Sequence, residues 1–121
     1  QTCILCQMGA KVFSIERQRE LHLKARKIIH ELNFTPRLSY GDGYLGLPLI
    51  APFDKIIVTC GAPDIPQTLK DQLKIGGVMI IPIGEGSEQI MKRIVKISET
   101  EFQEEELGTF KFVPMLERKV K

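Results

Sequence analysis

An α/β chain built on a doubly wound, mostly parallel sheet is what this sequence predicts, with antiparallel strands added at its C-terminal edge. Three observations carry the prediction. The stretch 51–63 runs Ile56, Ile57, Val58 without alternation, between the turn residues Pro52 and Gly61. An unbroken β-branched run of this kind is the mark of a short strand buried on both faces, as in the middle of a parallel sheet covered by helices. A second apolar run, 78–83, is closed by Pro82 and Gly84. Around these runs, strand-like and helix-like spacings follow in the order strand, helix, strand, strand, helix, strand, an alternation that builds layered α/β folds.

Taken in order, residues 1–8 read as the tail of a helix. Ile4, Leu5 and Met8 share a face, and Gly9 suits the left-handed position that ends helices. Residues 12–16 read as a strand that stops at Glu16. Residues 17–32 read as a long amphipathic helix, with Leu21, Ala25, Ile28, Ile29 and Leu32 at helical spacing and Glu20–Lys24 as a supporting i,i+4 pair. His22 and His30 on this helix have no ligand partner at i+4 and are expected at its surface or boundary. Pro36 announces a short strand at 37–40, and Gly41-Asp42-Gly43 follows as a tight turn. A loop over 44–52 leads into the central strand. Asp64 is the expected N-cap of a helix running to about Leu73, with Gln67 in the reciprocal position and Gly76 or Gly77 as its stop. Past Glu85 the periodicity of 89–97 fits strand or helix, 101–107 is acidic, and 109–115 reads as a strand carrying Pro114. Strands without intervening helices suggest the antiparallel edge.

The 121 residues suffice for a single domain over 1–121. Seventeen basic against fifteen acidic residues give a net charge of +2, which calls for no strongly charged partner. No basic stripe interleaved with aromatics points to nucleic acid, and the longest apolar run, 78–83, is too short to span a bilayer. Cys3 and Cys6 form a C-x-x-C, but no second ligand pair is spaced for zinc and no strand precedes it as a redox motif requires, so no metal is expected. With Cys60 the cysteines number three, and with no signal-peptide pattern at the start this fits a reducing, cytoplasmic setting.

Two acids stand where ligands bind in open α/β sheets, outside the carboxyl ends of strands. Glu16, ending the second strand of such a fold, can accept both hydrogen bonds of a ribose diol; it can also simply cap the next helix. In dinucleotide folds such an acid lies about twenty residues past a glycine-rich turn, which places that turn at or just before Gln1. The glycine loop is therefore expected to be missing from this chain. Asp42, between two glycines after the next strand, can accept from an adenine amino group while the glycines let the ring approach the backbone. On its own Gly-Asp-Gly is usually just a turn; after Glu16 and before a central strand it is more. No Ser-His-Asp set, no Cys with a paired His and no carboxylate dyad can be drawn, so no catalytic residue is assigned.

The stretch Phe53-Asp54-Lys55-Ile56-Ile57-Val58-Thr59-Cys60-Gly61-Ala62-Pro63, preceded by Tyr40-Gly41-Asp42-Gly43 and followed by Gly76-Gly77 and Phe112-Val113-Pro114-Met115, resembles the protein-L-isoaspartate O-methyltransferases over nearly the whole chain. The resemblance implies an incomplete Rossmann-like methyltransferase domain with S-adenosylmethionine as cofactor. It implies Glu16 at the ribose, Asp42 and Gly43 at the adenine, Thr59 near the methionine end, and Val113 and Pro114 at the substrate cleft. The implied reaction is methyl transfer to the α-carboxylate of isoaspartyl residues in damaged proteins or peptides, a repair step performed by a cytoplasmic monomer that needs neither nucleic acid nor membrane. The segment that the family carries before the position of Gln1 would supply the glycine loop and a central strand. Without it Ile56 to Val58 would lie at an open, aggregation-prone edge, and this chain alone would bind the cofactor weakly or not at all. Two other readings stay open: half of an NAD-type oxidoreductase, since Glu16 suits either ribose, and a non-enzymatic methyltransferase-like module that binds a partner through its sheet edge.

Overall fold

The computed structural model describes residues 1–121, which form two compact units, Gln1–Gly43 with Glu117–Lys121, and Tyr44–Leu116. In the first unit, helix α1 (Thr2–Gln7) ends as expected, with Gly9 in a left-handed conformation at φ +92°. Strand β1 (Phe13–Glu16) is followed by helix α2 (Arg19–Glu31), which starts two residues later than its periodicity suggests. The delay has a local cause: Glu16 Oε1 accepts the Gln18 backbone N–H at 2.8 Å, which holds residues 16–18 in a turn and leaves Gln18 as an extended N-cap. Helix α2 closes through Asn33 at φ +61°, a conformation that asparagine tolerates better than most residues. Strand β2 (Arg37–Tyr40) falls on its predicted residues and pairs in parallel with β1, Phe13 opposite Arg37 through to Glu16 opposite Tyr40.

His22 departs from expectation. It is buried, with its ring centroid 6.1 Å from that of Tyr40, while His30 is exposed. The apolar stripe of α2 is covered only in part: Ala25 and Ile29 are half-buried, but Leu21, Ile28 and Leu32 are exposed.

The second unit holds the core. Its sheet has the order β3 (Phe53–Ile57), β4 (Leu73–Ile83), β5 (Gln89–Lys96), β6 (Phe102–Phe110), the first pair parallel and the rest antiparallel. This is the expected mixed sheet with an antiparallel C-terminal edge. Strand β3 pairs on one side only, with β4, and Ile57 is 45% exposed. Burial on both faces therefore fails for Ile57, and the strand lies at the open edge. Met79 and Ile81 alternate out of β4 onto the core face and are buried with Ala62, Leu69, Leu73 and Ile94.

Three element boundaries correct the sequence reading. Helix α3 covers only Gln67–Asp71, and its N-cap is Pro66, not Asp64. A residue before proline is pushed out of the helical region, so Ile65 cannot begin a helix and the turn starts after Pro66. The Gln67 side chain instead donates to Asp71 Oδ1, one turn along the helix. Gly76 and Gly77 do not stop α3, because the chain leaves it at Gln72 and enters β4 at once, Leu73 pairing with Phe53. The last strand is the acidic stretch itself: β6 ends at Phe110, and Pro114 makes only an isolated bridge to Gly61. Glutamates hold this strand because β5 faces them with cations. Lys92 lies 3.4 Å from Glu104, and Arg93 lies 3.7 Å from Glu105, pairings that favour a strand register.

Candidate functional site

The parallel register of β1 and β2 decides where the two candidate acids go. Glu16 is the last residue of β1 and stands opposite Tyr40, the last residue of β2. Gly41 N–H then donates to the Glu16 carbonyl at 3.0 Å, so Asp42 and Gly43 leave the sheet at the same carboxyl end as Glu16. Two carboxylates from residues 26 positions apart are thus delivered to one end of one pair of strands. Neither Gly41 nor Gly43 takes a left-handed φ. A Cβ at Gly41 would only touch Ile15 in ordinary contact. What these glycines contribute is bare backbone beside Asp42.

Both carboxylates already have work in the fold. Glu16 accepts from Gln18 N–H, a bond that closes the turn before α2 and uses one oxygen; it does not cap the helix, whose N-cap is Gln18 with no side-chain cap bond. Asp42 Oδ2 accepts the backbone N–H of Arg118 at 2.8 Å. The chemistry of the set still suits an adenosine, because a carboxylate has about four acceptor positions and adenosine offers two ribose hydroxyls and an exocyclic amine as donors.

In the second unit, Thr59 is exposed just past the end of β3. The turn it leads into is bound to the 112–115 segment: Gly61 N–H donates to the Val113 carbonyl at 2.7 Å, and Met115 N–H donates to the Gly61 carbonyl at 2.8 Å. Val113 and Pro114, both exposed, therefore flank the turn that follows Thr59. Within each unit the structure gathers the predicted residues: Glu16, Asp42 and Gly43 in one, Thr59, Val113 and Pro114 in the other.

Two buried glutamines, which the sequence reading passed over, hold the loops of the second unit. Gln89 accepts from Phe112 N–H at 2.7 Å and donates to the Gly86 carbonyl at 3.1 Å. Its Cγ lies 2.8 Å from where a Cβ on Gly61 would stand, so the turn after Thr59 needs glycine. Gln72 accepts from Leu47 N–H at 2.8 Å and donates to the Leu45 carbonyl at 2.9 Å, clasping the 44–52 loop. Thr68 Oγ1 donates to the Tyr44 carbonyl, and Tyr44 Oη donates to the Met115 carbonyl at 3.3 Å. The only sequence sign of these clasps is a lone Gln beside an apolar run.

Gly46 sits inside the Gln72 clasp at φ +61°, and a Cβ there would come 2.3 Å from Gln72 Oε1. Gly46→Ala is expected to cost about 1–2 kcal/mol, from the left-handed backbone and the displaced amide together. A urea titration of the full-length protein checks this; an unchanged midpoint would show that the clasp can yield.

No helix of the chain is long and apolar enough to cross a membrane. A family model described as protein-L-isoaspartate(D-aspartate) O-methyltransferase matches residues 1–120. Among curated relatives, a protein-L-isoaspartate O-methyltransferase of Flavobacterium psychrophilum is 55% identical over 120 residues, covering 98% of this chain and 56% of the relative. That of Christiangramia forsetii is 52% identical with the same coverage. The chain spans about half the length of the curated relatives it matches. Among solved structures, a Plasmodium falciparum protein described as a protein-L-isoaspartate O-methyltransferase in complex with S-adenosyl-L-homocysteine aligns with a TM-score of 0.77 at 23% identity, over 94% of this chain and 56% of that one. A second, also described as a protein-L-isoaspartate O-methyltransferase, gives a TM-score of 0.77 at 29% identity over 85% of this chain and 33% of its own.

Proposed function

Since the chain belongs to the protein-L-isoaspartate(D-aspartate) O-methyltransferase family, we propose that the full-length protein methylates the α-carboxylate of L-isoaspartyl residues in damaged proteins and peptides, with S-adenosylmethionine as methyl donor. The observation that carries the reading is the β1–β2 register, which delivers Glu16 and Asp42 to one carboxyl end. In this reading Glu16 accepts from the ribose hydroxyls, and Asp42 accepts from the adenine amine beside the bare backbone of Gly43. Thr59 serves the methionine end, and Val113 and Pro114 line the substrate side. When bound, S-adenosylmethionine supplies an electrophilic methyl group. The residues of this chain hold and orient; none has to move a proton, because the substrate carboxylate is already ionised at neutral pH. Catalysis is then alignment of attacking oxygen, methyl and sulfur, the kind of advantage that proximity and orientation provide. We further read residues 1–121 as one part of a single methyltransferase domain, acting as a monomer in the cytoplasm.

Methyl transfer to an isoaspartyl peptide by the full-length protein tests the reaction, and no transfer above an aspartyl control peptide would end the proposal. Titration with S-adenosylhomocysteine and with NAD separates it from an oxidoreductase. Asp42→Ala is expected to raise the Michaelis constant for S-adenosylmethionine about ten-fold, the effect of losing one hydrogen bond to a charged group. The melting temperature should change little, since the bond to the Arg118 N–H is an exposed one. A collapsed melting temperature with unchanged cofactor affinity would make Asp42 a turn residue.

A further inference from the structure

Residues 118–120 lie across the carboxyl ends of β1 and β2 and are bonded to the turns that follow both strands. Toward the turn after Glu16, Val120 N–H donates to the Arg17 carbonyl at 2.7 Å, Arg19 N–H donates to the Val120 carbonyl at 2.9 Å, and Arg17 Nε donates to the Arg118 carbonyl at 3.0 Å. Gln18 and Val120 form a parallel bridge. Toward the other turn, Arg118 N–H donates to Asp42 Oδ2 at 2.8 Å, Tyr40 Oη donates to the Val120 carbonyl at 2.9 Å, and Lys119 Nζ lies 5.0 Å from the Tyr40 ring centroid. Arg118 adopts φ +64° to make this path, a conformation that a long side chain takes at a cost. The segment is thus a third short run of backbone laid against the ends of two strands, and it touches the flanks of both candidate carboxylates.

We propose that Arg118–Val120 is a positioning strap for the adenosine half of the cofactor, fixing the separation of Glu16 and Asp42. This rests on the assignment of those two acids to ribose and adenine. The alternative is that the segment plugs the site. The pattern of bonds favours positioning. Toward Glu16 the strap bonds only the main chain of Arg17 and Arg19 and the Arg17 guanidinium, and leaves the carboxylate to its contact with Gln18. From Asp42 it takes one of the about four acceptor positions of a carboxylate and tethers one of its two oxygens, Oδ2. Held by bonds on both turns, the two carboxylates cannot drift apart independently, and a ligand that bridges them need not spend binding energy on ordering them. Arg118 is accordingly a positioning residue that acts through Asp42.

The experiment uses the full-length protein and two substitutions at one position. Proline at 118 removes the N–H that Asp42 accepts and cannot take a positive φ; glycine keeps the donor and takes that φ freely. Arg118→Pro is expected to raise the dissociation constant for S-adenosylhomocysteine and the Michaelis constant for S-adenosylmethionine about ten-fold, with the turnover number at saturation unchanged. The affinity for adenosine alone should fall in parallel, because the strap serves that half. Arg118→Gly, the conservative variant, should keep the affinity within about two-fold, as expected where no hydrogen bond is lost. Should Arg118→Pro not fold, Tyr40→Phe decides, since it removes only the bond to Val120; it is expected to weaken binding about three-fold, a small share of one hydrogen bond. Tighter binding in Arg118→Pro or Tyr40→Phe would mean that the segment is a plug and would overturn the proposal. Unchanged affinity in both, while the wild type binds and Asp42→Ala weakens, would overturn the strap alone. A wild type that binds no S-adenosylhomocysteine would remove the cofactor reading beneath it.

Discussion

Gln89→Ala is expected to destabilise the protein by about 3–4 kcal/mol, the sum of a large-to-small change at a buried site and the orphaning of hydrogen-bonding partners. Gln89 is 3% exposed and its amide is bonded at both ends, to Phe112 N–H and to the Gly86 carbonyl. Alanine keeps neither bond. It also empties the space beside Gly61 that the Gln89 side chain fills at 2.8 Å from an imagined Cβ. That geometry sharpens the test. Gly61→Ala alone should also destabilise, because its new methyl group meets Gln89. In the double variant the methyl group enters the space that truncation leaves, so the two losses should add to less than their sum. Denaturant midpoints of the four proteins give the coupling directly. Strict additivity would mean that the turn after Thr59 is not held by Gln89.

Glu16→Gln should raise the Michaelis constant of the full-length protein for S-adenosylmethionine roughly ten- to a hundred-fold, equivalent to about 1.5–3 kcal/mol, the range for hydrogen bonds to charged groups. One carboxylate oxygen already serves the Gln18 N–H. Glutamine can keep that bond through its carbonyl oxygen, so the turn into α2 should survive. What it cannot keep is the second, charge-assisted acceptor, because in the proposed reading its other end would be a donor set against donor hydroxyls. The ribose is remote from the transferring methyl, and its bonds are made equally in ground and transition states. Losing such uniform binding raises the Michaelis constant and spares the turnover number. Kinetics at saturating isoaspartyl peptide with varied S-adenosylmethionine decide the matter. A large fall in turnover with an unchanged Michaelis constant would place Glu16 at the chemistry and reverse the proposed cofactor orientation.

The parts of the fold that were legible in the sequence are those whose signals are local. Pro36 and Gly41 bracket β2 to the residue, Gly9 marks the end of α1, and the run into Val78–Ile83 gives the core of β4. The misreadings came where two local rules competed or where a partner strand decided. Asp64 is a good cap by type, but Pro66 two residues later governs where α3 begins. The glutamates of β6 have poor intrinsic strand preference, and it is Lys92 and Arg93 on the neighbouring strand that make the register favourable. Of the candidate site, the acids were legible because strand order and spacing alone bring Glu16 and Asp42 to one end. The strap was not, since its decisive donor is the backbone N–H of Arg118, 76 positions from Asp42, and a main-chain donor leaves no mark on residue type. The glutamine clasps escaped for a related reason: their partners are also main-chain atoms of distant loops.

The acidic outer strand has a consequence for how the four-stranded sheet can grow. A sheet has two sides on which another strand could add. Here one side is β3, which carries one acid and one base, Asp54 and Lys55, and pairs only with β4, and the other is β6, which carries Glu104, Glu105 and Glu106 in succession. A second copy approaching β6 with its own β6 would bring six carboxylates together, and like charges set opposite each other oppose pairing. The sheet therefore has a valence of one. A strand that pairs with β3 satisfies that valence, and two sheets that meet there present charged strands on both outer flanks. Such an encounter terminates instead of propagating into a fibre.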